Sequence, residues 1–259
     1  MKYPHGKISW TDLQLPDPKA ATTFYAGQFG WEAEEVPTGE PGGTYFLFRK
    51  NGKQVTGIGT QPPEQQQGGI PPIWTPYVNV DDVDKIAAHA AELGATIALP
   101  PADVTDTGRI AFLFDPTGAA IGFWQPKTME GAELLDEPGS MTWAELTTRD
   151  TKKATEFYTT LLPWEAVEQD FDGGTYTTFK LGDQDAAGMY AMDESWPKEV
   201  PAHWMVYFAV EDTDAAAEKI EELGGRISVP PSDSPYGRFS VVSDPQGGTF
   251  SIIKAARGS

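Results

Sequence analysis

The chain has no cysteine, so disulfides, thiolate nucleophiles and cysteine-based zinc or iron–sulfur centres are excluded. Histidine is scarce, with three in 259 residues, which leaves little material for an imidazole-built metal centre. Basic residues are few as well: 19 Lys and Arg stand against 38 Asp and Glu, for a formal net charge of −19. A surface of that sign repels phosphate backbones and anionic lipid, so neither nucleic acid nor membrane is an expected partner. Neutral or cationic ligands are favoured instead. No apolar run approaches the ~20 residues of a membrane-spanning helix, and the opening MKYPHGKISW has no apolar signal-peptide core. The expected address is the cytoplasm.

An apolar content of 39% with 12% aromatics is that of a globular chain. The pattern within it is a repeat. Ile8–Leu15 (ISWTDLQL) is made again at Met141–Thr148 (MTWAELTT), and each copy leads into one helix, from Asp17 to Phe24-Tyr25 and from Asp150 to Phe157-Tyr158. Trp31-Glu32-Ala33 recurs as Trp164-Glu165-Ala166, Gly42-Gly43-Thr44-Tyr45 as Gly173-Gly174-Thr175-Tyr176, and Trp74 as Trp204. Pro100-Pro101 recurs as Pro230-Pro231, Arg109 as Arg238, and Asp115-Pro116-x-Gly118 as Asp244-Pro245-x-Gly247.

Each copy reads as two β-α-β-β-β units. In the first, a strand at Ile8–Leu15 precedes a helix capped at Asp17 and stopped by Gly30. Strands at Thr44–Arg49 and Gln54–Thr60 flank a tight Asn51-Gly52 hairpin. Gln61–Pro72 is a polar surface connection. The second unit runs from a strand at Trp74–Val80 through a helix at Val83–Leu93, capped by Asp82 and stopped by Gly94. A strand at Thr96–Ala98, a Pro100-Pro101 corner and strands at Arg109–Phe114 and Ala120–Gln125 complete it. The expectation is an α+β chain with domains at residues 1–126 and 140–259, joined by a linker over residues 127–139.

A helix ending in Phe24-Tyr25 before Gly30-Trp31, with a late Asp-Pro-x-Gly turn before the last strand, resembles the vicinal oxygen chelate superfamily. That group includes glyoxalase I, the extradiol dioxygenases and the bleomycin-resistance proteins. The chain resembles it over essentially its whole length, twice, and is most similar to tandem-domain glyoxalase-like proteins of the actinobacterial type. The resemblance implies two βαβββ units per domain forming a cupped mixed sheet, with helices outside and a metal or ligand on the concave face.

Enzymes of this group hold a divalent ion with His, Glu or Gln. The first-strand ligand stands seven residues before the Asp that opens the helix, which here gives Trp10, Trp143, Thr75 and Met205. The last-strand carboxylate stands seven residues after the Asp of Asp-Pro-x-Gly, which gives Gly122 and Ser251. Near the end of the first unit stand Gly57-Ile58-Gly59, with Gly188-Met189 in the copy. None is an imidazole or a carboxylate. His5 lies in the lead-in, His89 is mid-helix, and His203 precedes a strand, from which a one-residue slip brings it near the site. Asp12 and Glu145 hold one place in both copies, but two oxygen ligands alone bind Mg²⁺ or Ca²⁺ loosely. No metal or other cofactor is therefore expected, and a divalent ion enters only with a non-standard site.

At period two, Trp10, Asp12, Gln14, Thr75, Tyr77 and Asn79 face the concave side of the first domain, and Trp143, Glu145, Thr147, Met205 and Tyr207 that of the second. Trp74 and Trp204 fall on the helix side. Indole, phenol and carboxylate together suit a planar or cationic organic molecule, with about 0.5–2 kcal/mol per good cation–π contact. The alternative for these rings is that they fill the concave face themselves. Arg109 and Arg238 are expected to pair with Asp115 and Asp244 rather than to clamp an anion.

Three functions follow. The first is a metal-free protein binding a small aromatic or cationic molecule for sequestration, resistance or sensing. The second is a metal-dependent lyase or dioxygenase with an unusual site, and the third a protein-interaction scaffold. Either a monomer with paired domains or a homodimer is compatible with the sequence.

Overall fold

The computed structural model describes residues 2–38, 43–171 and 174–256. The first repeat runs β1 (Ile8–Leu15), α1 (Pro18–Phe29), β2 (Glu32–Val36), β3 (Tyr45–Lys50), β4 (Lys53–Thr60), a short α2 (Pro63–Gln67), β5 (Trp74–Asn79), α3 (Val83–Glu92), β6 (Thr96–Val104), β7 (Gly108–Phe114) and β8 (Ala120–Pro126). The second runs β9 (Met141–Thr148), α4 (Thr151–Leu161), β10 (Glu165–Phe171), β11 (Gly174–Leu181), β12 (Gln184–Ala191), β13 (His203–Ala209), α5 (Thr213–Glu222), β14 (Arg226–Ser234), β15 (Gly237–Ser243) and β16 (Thr249–Ala255). Each repeat forms one eight-stranded sheet, ordered β2-β3-β4-β1-β5-β8-β7-β6 and β10-β11-β12-β9-β13-β16-β15-β14. The pairs β1–β4, β5–β8, β12–β9 and β13–β16 are parallel and the hairpin pairs antiparallel. The fold is α+β, with two tandem cupped mixed sheets.

Local chemistry sets the ends of these elements. The Asp17 carboxylate accepts from Ala20 N at 2.9 Å, Pro18 sits in the first turn, and Gly30 ends α1 in the left-handed region at φ 70°. The copy keeps the cap, Asp150 accepting from Lys153 N at 3.0 Å, but ends α4 with Leu162 in extended geometry before Pro163. Glycine and proline stop the same helix by different means. Asn51 and Gly52 both have positive φ, 52° and 76°, which turns β3 back into β4 with the twist a two-residue hairpin needs.

Two sequence expectations are corrected. Pro100-Pro101 makes no corner: β6 runs straight through it, the ladder to β7 slipping between Ile97/Leu99 and Leu99/Ala102. An edge strand tolerates proline because its outward groups have no ladder partner to lose, and β14 treats Pro230-Pro231 in the same way. The connection over residues 61–72 contains α2, and its Gln61 is buried, donating to Ile70 O. Within the linker over residues 127–139, Ala132 and Leu134 are buried and Glu133 N donates to Gln54 O. Of the expected Gly-Gly turns, Gly42 and Gly173 lie outside the described residues, as do the last residues of the C-terminal tail.

The chain divides into two compact units that do not coincide with the repeats. Unit 1 comprises Met1–Trp10, Thr75–Gly131 and Ala144–Met205, and unit 2 comprises Thr11–Trp74, Ala132–Trp143 and Val206–Ser259. Each therefore draws one βαβββ module from each repeat.

The core of unit 2 is aromatic. Tyr25 stacks on Trp31 with centroids 5.5 Å apart, and Trp74 meets Tyr25 and Phe208 edge-on at 5.7 and 5.0 Å. In unit 1, Tyr158 holds Trp164, Phe179 and Trp204 at 5.8, 5.9 and 5.5 Å. Trp74 and Trp204 thus lie on the helix side, as their strand positions predict.

At each centre is a buried phenol–carboxylate pair. Tyr25 donates to Asp244 Oδ2 at 2.9 Å and Tyr158 to Asp115 Oδ2 at 2.8 Å. Trp204 Nε1 donates in turn to the Tyr158 oxygen. The other carboxylate oxygen closes its own Asp-Pro-x-Gly turn, accepting from Thr117 N and Ala119 N in one unit and from Gln246 N and Gly248 N in the other. Burial, and then the neighbouring carboxylate, push both tyrosines well above the usual phenol range. Burial also raises Asp244, against the hydrogen bonds that stabilise its charge.

Candidate functional site

The helix-free face begins on β1 and β9. In β1, Thr11, Leu13 and Leu15 are buried towards the helices, while Asp12 is partly exposed and Gln14 exposed on the other face. In β9, Ala144 and Leu146 are buried, and Trp143 and Glu145 are partly exposed. Thr147 is buried. Along β13 the alternation is clear: His203, Met205 and Tyr207 are partly exposed, and Trp204, Val206 and Phe208 buried. The period-two reading thus matches the burial along β13 and the first part of β9, whereas β5 is buried throughout. It did not foresee that Trp10, Thr75 and Tyr77 are only 4–5% exposed. Asn79 is buried too, and holds the N-terminal lead-in by donating to Tyr3 O at 2.8 Å.

In unit 2, Asp12 pairs across β4 with Gly57 and Gln14 with Gly59. Tyr45 of β3 lies over these glycines, so that a Cβ on Gly57 would stand 1.8 Å from the Tyr45 hydroxyl oxygen. In unit 1, Glu145 pairs with Gly188 and Thr147 with Tyr190, which faces Tyr176. A carboxylate–glycine pair thus recurs across both ladders, and in unit 2 the Tyr45 ring covers the glycines. A tyrosine two strands away gives no sequence clue to where its ring lies. Gly57→Ala is expected to displace Tyr45 and cost about 1–3 kcal/mol, as overpacked sites do. Denaturant unfolding of the variant checks this.

The other halves of the two sheets differ. In unit 1, Tyr77 pairs with Gly122, and a Cβ there would be 2.1 Å from the Tyr77 ring. The Trp124 ring covers Gly108 in the same way, its Nε1 donating to Met129 O at 2.9 Å. In unit 2 the corresponding residues are Tyr207, Ser251 and Ile253. Ser251 pairs with Tyr207 on one side and Val241 on the other, and its buried Oγ has no hydrogen-bond partner among the described residues.

The donor set does not fit a divalent ion of the superfamily's kind. The counted ligand positions hold indole, hydroxyl, thioether and glycine, and the Tyr77 ring fills the space over Gly122. Among the described residues no group of three or more His, Asp or Glu is gathered closely enough to hold a metal. His203 opens β13 rather than preceding it, and its Nδ1 lies 2.9 Å from Pro201 O. His5 accepts from Asp81 N, and His89 is exposed beside Glu92.

Arg109 and Arg238 are structural, with other partners than expected. Arg109 makes two bonds of 2.8 Å to Asp84 in the first turn of α3 and one of 3.2 Å to Asp103 across the ladder. Arg238 repeats this with Asp214 and Asp233. Asp115 and Asp244 are committed to their own turns and to a tyrosine, and stand at the opposite end of the strand from the arginine. These hydrogen bonds hold the guanidinium pKa above its ordinary value and those of Asp84 and Asp214 below theirs.

A groove of about 300 Å³ in unit 2 is lined by Gln28, Phe29, Lys50, Gly139, Asp212 and Lys219 among others. Its polar groups serve the fold: Lys50 Nζ donates to Phe29 O, and Asp212 caps α5.

Two paired-module sheets in tandem, each with a late Asp-Pro-x-Gly turn, define the class. The profile of the Glyoxalase/Bleomycin resistance protein/Dioxygenase superfamily matches residues 7–123 and 140–252. The chain belongs to that superfamily. It is 40% identical over 257 residues to CFP32 of Mycobacterium tuberculosis, which carries the name of a glyoxylase, covering 98% of this chain and 97% of that one. It is 35% identical over 268 residues to the anthracycline biosynthesis protein DnrV of Streptomyces peucetius, covering 99% and 96%. Among solved structures, the 2,3-dioxygenase LapB from Pseudomonas sp. KL28 shares the fold with a TM-score of 0.67 at 14% identity, over 97% and 93% of the chains. The Mn(II)-bound glyoxalase from Novosphingobium aromaticivorans gives 0.65 at 17% identity, over 96% and 82%.

Proposed function

We propose that this protein binds a small planar aromatic or cationic organic molecule on the helix-free face of its sheets without using a metal, for sequestration, resistance or sensing. The observation that carries the reading is the content of the counted ligand positions: Trp10, Thr75 and Gly122 in one repeat, Trp143, Met205 and Ser251 in the other. Rings and a carboxylate beside them replace the usual metal ligands. Trp143, Glu145, Met205 and Tyr207 are the ligand-facing residues of the second repeat. In the first, Asp12 and Gln14 are the accessible ones, and Trp10, Thr75 and Tyr77 serve as buried walls. The name of DnrV supports an anthracycline-like ligand. Such molecules combine a flat fused ring system with an amino sugar, which suits aromatic faces near carboxylates.

The test is a fluorescence titration with daunorubicin, a planar cationic probe. Saturable binding that does not change with added chelator is expected. Trp143→Ala weakens it roughly 2- to 30-fold, the worth of one cation–π or stacking contact. Absence of saturable binding refutes the reading.

A second reading, a metal-dependent lyase or dioxygenase, draws support from the solved structures that share the fold, which are described as a dioxygenase and a Mn(II)-bound glyoxalase. Native mass spectrometry separates the two. A stoichiometric Mn, Fe, Ni or Zn adduct that Asp12→Ala or Glu145→Ala removes establishes the second and overturns the first.

A further inference from the structure

The two repeats present their β5–β8 and β13–β16 strand pairs differently, and a single position accounts for the difference. In unit 1, Gly122 has no side chain, and the Tyr77 ring lies flat against the strand there, 4% exposed. Any Cβ at residue 122 would stand 2.1–2.2 Å from the Tyr77 ring carbons. Two residues on, the Trp124 ring lies over Gly108 and is pinned by its hydrogen bond to Met129 O. This half of the face is occupied by its own rings.

In unit 2 the equivalent of Gly122 is Ser251, whose Cβ forbids the corresponding ring position. Tyr207, the partner of Ser251 across the ladder, is accordingly left partly exposed, and Ile253 replaces the covering indole. Phe239 and Val241 of β15 flank the same rungs and are also partly exposed. In the middle of this apolar surround, Ser251 Oγ is buried and has no hydrogen-bond partner among the described residues. A buried hydroxyl left unpaired is costly, and a ligand oxygen or amine that pairs with it recovers that cost. Nothing in the fold requires a hydroxyl there, since the first repeat is complete with glycine.

Building on the aromatic-ligand reading above, we propose that the second repeat alone carries the ligand seat. Ser251 hydrogen-bonds a carbonyl or phenol oxygen of the planar ligand against the Tyr207, Phe239 and Val241 side chains, while Tyr77 and Trp124 close the first repeat. One chain then takes one ligand, and Ser251 is the residue that selects for a polar ring edge.

Calorimetric titration of the full chain with daunorubicin tests this. The expected result is a stoichiometry of one. Ser251→Ala keeps the Cβ and loses the hydroxyl, and is expected to bind about five- to tenfold more weakly. Ser251→Gly also lets Tyr207 fall onto the strand, and is expected to bind more weakly still. Circular dichroism melts of both variants establish that they are folded. Saturable binding with a stoichiometry of two, or with an affinity indifferent to Ser251→Ala, overturns the inference and leaves the aromatic-ligand reading standing. No binding by the wild-type chain overturns both. A probe lacking oxygen on its rings, such as ethidium, is expected to be indifferent to Ser251→Ala, and an equal loss with it would also refute the assignment.

Discussion

Replacing Asp115 or Asp244 with alanine is expected to lower the free energy of unfolding by roughly 3–5 kcal/mol, because each carboxylate satisfies several buried donors together. Asp115 accepts from Thr117 N and Oγ1 at 2.7 Å, from Ala119 N at 3.1 Å and from the Tyr158 hydroxyl at 2.8 Å. Alanine leaves the buried phenol and the part-buried backbone groups of the turn without acceptors. Each buried donor so stranded costs about 1–3 kcal/mol, and the partial exposure of the turn keeps the sum below the simple total. Asp115→Asn retains a carbonyl for the turn and should lose less. The partner change, Tyr158→Phe, leaves Asp115 Oδ2 without its phenol donor and Trp204 Nε1 without its acceptor but keeps the turn intact, and should cost less than the alanine change. Guanidinium unfolding of the three variants, with Asp244 and Tyr25 treated in parallel, gives the ranking. An alanine variant no less stable than the phenylalanine one would refute the assignment.

Stability is expected to collapse above pH 10, more steeply than exposed tyrosines would cause. Tyr25 and Tyr158 have folded-state pKa values raised by burial and by the adjacent carboxylate, whereas in the unfolded chain they titrate near the ordinary phenol value. In that interval the native state holds two protons that the unfolded state releases. The free energy of unfolding therefore falls as pH rises, by up to about 1.4 kcal/mol per pH unit for each tyrosine and about 2.7 for both. Their contribution is fully present below pH ~10 and is lost above it. Denaturation midpoints measured from pH 8 to 11.5 test the slope. In Tyr25→Phe/Tyr158→Phe the start is lower, but the alkaline slope should flatten. An unchanged slope would show that other groups carry the linkage.

Much of this was readable from residues alone. The repeat, the strand faces, the Asp caps and the Asn51-Gly52 hairpin are local signals, each spelled within a few residues. What escaped depended on residues distant in the chain. Asp115 and Asp244 were matched with Arg109 and Arg238 on sequence proximity, whereas their partners are tyrosines 43 and 219 residues away. Pro100-Pro101 looks like a corner until its strand is known to be an edge. For the candidate site, the alternation along β13 was legible, but the burial of Trp10 and of all of β5 was not. Whether Tyr77 stands open depends on the residue beneath its ring, and Gly122 and Ser251 differ in that respect by side-chain atoms a one-dimensional pattern does not weigh.

The pairing of Tyr25 with Asp244 also bears on how the protein is made. Unit 2 begins at Thr11 and is not complete until the final strand, Thr249–Ala255, has left the ribosome. At ~5–20 residues per second, the 219 residues between phenol and carboxylate take roughly 10–40 s to synthesise. For most of that time the nascent chain carries Tyr25, Phe29 and Trp31 without Phe208, and for all of it without Phe250, to cover them. Unit 1, whose last segment ends at Met205, is released earlier. The Thr11–Trp74 module thus waits for the Val206–Ser259 segment to cover it, and the growing chain has to keep an aromatic surface out of aggregates, by chaperone capture or by transient packing, while the modules between them are made.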